Sequence, residues 1–69
     1  MSKRQEQGLA LLNELIGDIG RAYQRAEEFK QEYPELADIV SMAMALSDLR
    51  KLDSWLSDER DRARKLIEM

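Results

Sequence analysis

Apolar residues recur along this chain in steps of three and four, the repeat of amphipathic helices that pack side by side. In the N-terminal half, Leu12, Leu15, Ile19, Ala22, Ala26, Phe29 and Tyr33 keep this rhythm, and Leu9, Ile16 and Tyr23 add a second row on the flank. Together they make a stripe wider than the seam of a two-stranded coiled coil. Ser2 followed by Gln5 has the form of a capping box, which starts the first helix almost at the N-terminus. Proline disfavours helical geometry in the residue before it and sits comfortably at the first position of a new helix, so Tyr33-Pro34 marks a bend. The pattern predicts helix 1 over about 3–32, a bend at 33–34 and helix 2 over about 34–67, in a single helical domain of residues 1–69.

Helix 2 opens with Glu35 and Asp38, where the helix dipole favours acids. Its central row is Ile39, Met42, Leu46, Leu49, Leu56, Ala63 and Ile67, and the alternation is unbroken if Asp53 and Arg60 are counted as members. Leu36, Val40 and Ala43 lie on one side of that row, while Ala45, Leu52, Trp55 and Leu66 lie on the other. The expected fold is therefore all-α, an antiparallel two-helix hairpin that pairs into a helical bundle. Two segments leave alternatives. Ser57-Asp58-Glu59 resembles a helix start and would divide helix 2, giving three helices. Gly17 and Gly20 each cost about 1 kcal/mol relative to alanine inside a helix, and mark either the close approach of a neighbouring helix or merely tolerated solvent-facing positions.

A hairpin of two helices rising 1.5 Å per residue is a thin rod, about 40 to 50 Å long, in which each helix covers only one stripe of the other. Helix 2 offers more than one stripe, and residues such as Met44 and Trp55 are expected to stay wet in a lone hairpin. Composition sharpens this expectation. A chain of 69 residues is short for an independent core, and with no cysteine and no histidine it has neither disulfides nor the usual ligands of zinc, haem and other transition metals. Association remains as the remedy. The expected partner is a second copy in a homodimeric four-helix bundle, with a larger protein as the other candidate. The candidate contact residues are Ile39, Met42, Leu46, Leu49, Asp53, Trp55, Leu56 and Arg60. Asp53 and Arg60 bracket Leu56, so two copies of helix 2 crossing antiparallel near Leu56 and Ser57 would set Asp53 of one against Arg60 of the other. The alternative is that this row turns to solvent, with the Arg60 stem lying over apolar surface. Met42 and Met44 suit core packing or an adaptable contact patch.

The chemistry-bearing residues point away from catalysis. Serines have no histidine to activate them, and there is no Gly-x-Ser-x-Gly elbow or phosphate-binding glycine loop. No cofactor is expected. Carboxylates do gather around the bend, at Glu27, Glu28, Glu32, Glu35 and Asp38. They allow two other readings: an acidic surface that mimics nucleic-acid phosphate and inhibits a basic partner, and a magnesium-dependent hydrolase using Glu-x-x-Glu and Glu-x-x-Asp pairs. Both have a plainer counterpart in a solvated helix surface.

Net charge is only -3 with both signs interspersed, which gives no ground for nucleic-acid binding. The basic residues Arg60, Arg62, Arg64 and Lys65 alternate with Asp58, Glu59 and Asp61, without aromatic residues to stack bases. The N-terminus leads directly into a patterned helix and no apolar run approaches membrane-spanning length, so no membrane association is expected and the expected location is cytoplasmic. The expected function is that of a non-enzymatic protein–protein interaction module, a small regulator or adaptor acting through an apolar helical face.

Overall fold

The computed structural model describes residues 2–68. Among them the chain forms α1 (Lys3–Glu32), α2 (Pro34–Ile39) and α3 (Met42–Glu68), with α1 packed along α3 as an antiparallel hairpin and α2 closing one end. The rod measures 50 × 16 × 13 Å between Cα extremes. Ser2 caps α1 as its sequence suggests. Its hydroxyl accepts from the Gln5 amide at 3.2 Å, and its own amide donates to the Gln5 side-chain carbonyl at 2.9 Å. Caps of this kind contribute about 1 kcal/mol.

The bend is narrower than a loop. Tyr33 alone leaves the helical region, at φ −130° and ψ 63°. Its amide still donates to the Phe29 carbonyl at 2.8 Å, while its carbonyl already accepts from the Ala37 amide at 2.9 Å. The ring of Tyr33 leans on Phe29, centroids 5.7 Å apart. Pro34 then starts α2 at the position where its missing N–H costs nothing.

Helix 2 of the sequence pattern is not continuous. It divides at Val40-Ser41 rather than near Ser57, and α3 passes through Ser57 without interruption. The physical cause is the gap to be crossed. Helices in contact run about 8–10 Å apart, and six helical residues rise about 9 Å, so α2 spans the hairpin's end before the chain turns again. Ser41 makes that second turn with φ 55°, in the left-handed region. Its amide donates to Asp38 O at 3.2 Å, and its carbonyl accepts from the Met44 and Ala45 amides at 3.0 and 3.4 Å. One turn residue thus ends α2 and founds α3. Its backbone costs about 1–2 kcal/mol in a residue that has a Cβ. Beneath α2, Ala37 is enclosed to 3 % exposure.

The face that α1 turns inward also differs from its regular seam. Leu9, Leu12, Ile16, Ile19, Tyr23, Ala26 and Phe29 are buried or half-buried, whereas Leu15, Ala22 and Tyr33 are exposed. The flank row therefore serves as the inner row. Enclosing Leu9, Ile16 and Tyr23 covers more apolar surface than enclosing Leu15, Ala22 and Tyr33, because the latter group spends a position on alanine. On α3 the inner row is Met42, Leu46, Leu49, Asp53, Leu56, Arg60, Ala63 and Ile67, each half-buried.

Two stripes in contact do not make an interior. Among the described residues only Ile19, at 7 % exposure, and Ala37 are buried, and no side chain is fully enclosed. Gly17 and Gly20 do not mark a close helix approach within the hairpin. A methyl group on Gly17 would meet only the tip of Arg21 at 3.7 Å, and one on Gly20 would meet nothing within 4 Å.

Candidate functional site

The hairpin has two broad sides, and their positions follow from contacts that cross between α1 and α3. Arg60 donates to the Asn13 side-chain carbonyl at 3.0 Å, so these two residues are level along the rod. Tyr23 lies level with Arg50, and Gly20, Gln24 and Asp53 border the same shallow depression. Glu27 and Gln31 flank Leu46 further along. This side carries hydroxyl, amide and charged groups from end to end. The Tyr23 phenol is held above its ordinary value of 10.0, first by its hydrogen bond to Glu27, then by lost hydration and the Glu27 charge, with Arg50 opposing.

A helix turns 100° per residue, and antiparallel neighbours turn in opposite senses as seen from one end. The residues rotated away from Asn13, Gln24 and Gln31 on α1, and away from Arg50 and Asp53 on α3, therefore share the opposite broad side. These are Gly8, Leu11, Leu15 and Ala22 on α1, with Leu52, Trp55 and Leu66 on α3. Leu11 is 67 % exposed, Trp55 58 % and Leu66 62 %. Gly8, Leu11, Leu12 and Leu15 border an open depression on this side, together with Glu14 and Asp18. Their spacing of i, i+3, i+4 and i+7 is that of the hole into which a side chain of a neighbouring helix packs.

The sequence-derived contact residues divide between surfaces. Met42, Leu46, Leu49 and Leu56 are half-buried towards α1. Asp53 accepts a hydrogen bond from the Ser57 hydroxyl at 3.4 Å, and Arg60 reaches Asn13 and, at 3.3 Å, Asp61. Both charges are thus engaged within their own chain. Trp55 stands on the apolar side, and Ile39 projects from α2 at 77 % exposure with Leu36 and Val40. Met44 is exposed too. Leu11 and Leu15 complete the apolar side but were no part of the sequence-derived contact set. Leu15 was visible as a member of the regular seam of α1, whereas Leu11 lies outside both rows read from the sequence.

The bend carboxylates Glu27, Glu28, Glu32, Glu35 and Asp38 are all exposed. Glu27 turns to Tyr23 on the polar side, and Glu32 and Glu35 edge a shallow recess with Tyr33, Pro34 and Leu36. Among the described residues no three carboxylates stand close enough to hold a metal ion. No helix among them is long and apolar enough to cross a membrane. Comparison with protein-family models, with curated proteins and with solved structures gives no match.

Proposed function

We propose that this chain is a protein–protein interaction module whose working surface is the broad side formed by Leu11, Leu15, Ala22, Leu52, Trp55 and Leu66. The observation that carries the reading is the contrast between a nearly absent interior and the exposed leucines and tryptophan gathered on one side. Burying a leucine or tryptophan side chain contributes about 1.5–3 kcal/mol, so covering several of them supplies the stability that the hairpin's own interface lacks. The occupant that fits a 3-4 spaced apolar stripe is another helix or helix pair. Trp55 is the large aromatic anchor of such a contact.

A photo-crosslinking side chain introduced in cells at Leu11 or Leu66 is expected to give covalent protein adducts, and one at Gln24 or Gln31 on the polar side is not. Adducts from both sides alike, or from neither, would overturn the proposal. The acidic-mimic reading has the exposure of Glu28, Glu32, Glu35 and Asp38 in its favour. High salt separates the two, since a contact through leucines survives it and one through carboxylates weakens steeply.

A further inference from the structure

We infer that the partner on this side is a second copy of the chain, joined about a two-fold axis parallel to the helices so that α1 of each copy lies along α3 of the other. The inference rests on the interaction-module reading above and adds the identity and direction of the partner. Three observations support it.

The first is area. The rod's largest side, 50 × 16 Å, projects about 800 Å², which is what a standard interface takes from each partner. One copy therefore covers the whole apolar side, and four helices in a square give every helix two neighbours instead of one.

The second is the level of the residues. The Arg60–Asn13 bond, with Tyr23 and Arg50 bordering one depression, sets the register of α1 against α3 within a hairpin. An axis along the rod leaves heights unchanged, so the same register applies between copies. Trp55 of one copy then falls at the height of Asp18, where its ring covers Leu15 and Ala22 of the other. Leu66 falls beside Gly8, where no atom lies within 4 Å of the missing Cβ, and next to Leu11. Leu52 meets Ala22.

The third is charge. Arg25 of one copy stands level with Asp48 of the other, which lies on the row of Trp55 one heptad away, and Lys51 stands about 6 Å along the rod from Asp18. Among the described residues Arg25, Asp48 and Lys51 form no ion pair within the chain, while Asp18 is paired with Arg21. Glu59, which lies between Leu52 and Leu66 on the same row, has its charge offset by Arg62, whose Nε donates to it at 3.0 Å. The other two-fold, across the rod and centred on Trp55, would stack α1 on its own copy and leave Arg25 level with Leu11 rather than with Asp48.

The test uses the full chain, with mass and helicity followed by sedimentation and circular dichroism over a dilution series. The wild-type chain is expected to be a helical dimer that loses helix content as it dissociates. Arg25→Asp and Asp48→Arg each place two like-charged pairs in their own homodimers and are expected to dissociate about tenfold more readily. Mixed in equal amounts, the two variants are expected to form the heterodimer in preference to either homodimer, because only the heterodimer restores both pairs. A dimer without that preference overturns the geometry, whether the true arrangement sets α1 on α1 or turns another side inward. A folded monomer at high concentration overturns the second copy as partner. If crosslinks from Leu11 in cells then lead to a different protein, the interaction-module reading survives while this inference falls. If they lead to nothing, both fall.

Discussion

The two broad sides of this hairpin are built on the same pair of helices and differ only in which residues the turn angle brings round. On one side Asn13 meets Arg60, Tyr23 meets Glu27, Asp53 accepts from Ser57, and Gln24 faces water. Each polar group there is satisfied by a neighbour or by solvent, and nothing is gained by covering it. On the other side Leu11, Leu15, Trp55 and Leu66 are wet, and every one of them gains by leaving water. The lesson is that an amphipathic helix pair has one more surface to account for than its own seam. The rows that face each other make the hairpin, and the rows beside them leave apolar side chains in water.

The largest effects should come from placing a charge on the apolar side. Leu15→Asp or Trp55→Asp forfeits about 1.5–3 kcal/mol of burial and adds a desolvated carboxylate, so self-association measured by sedimentation is expected to weaken about 100-fold. Gln24→Asp on the polar side should leave it within about twofold. Equal responses on the two sides would erase the contrast.

A gain of function sharpens the same contrast. Glu59 interrupts the apolar row between Leu52 and Leu66. Glu59→Leu is expected to tighten association about tenfold, since a covered leucine gains more than the exposed Glu59–Arg62 pair contributes. An unchanged dissociation constant would mean that this row faces solvent in the assembly.

Backbone propensity provides a smaller effect that should be blind to association. Gly20 has open space where a Cβ would stand, and Gly17 offers only an ordinary contact with Arg21. Gly20→Ala and Gly17→Ala should each stabilise the helix by about 0.5–1 kcal/mol in thermal melts, without shifting the dissociation constant. Loss of stability in either variant would show that a neighbour approaches α1 at that point.

The smallest effect lies on the polar side. The Tyr23 phenol is held above 10.0, chiefly by Glu27. A phenol whose value is raised by folding adds stability that is complete below its unfolded value near 10 and is lost as pH climbs through the folded value. In a Tyr33→Phe background, ultraviolet titration should show Tyr23 ionising above 10, and Glu27→Gln should bring it down. No change on removing Glu27 would detach Tyr23 from that carboxylate.

Much of this fold is legible in the residues because helix formation is local. The 3-4 rhythm, the Ser2 cap, the Tyr33-Pro34 bend and the all-helical hairpin all follow from neighbours in sequence, which need no knowledge of distant contacts. The surplus of apolar rows is equally a property of the sequence, and it foretold exposed leucines and an exposed Trp55. Three matters were decided only in three dimensions. Val40-Ser41 carries no proline or glycine, and it breaks because a helix must cross the distance between α1 and α3 before the chain can return. The rows of α1 lie side by side with similar apolar content, and which of them turns inward depends on the opposing helix, so Leu9, Ile16 and Tyr23 displaced Leu15, Ala22 and Tyr33. Lastly, Arg60 reaches Asn13 on the opposing helix, 47 residues away, a contact that spacing along one helix does not record.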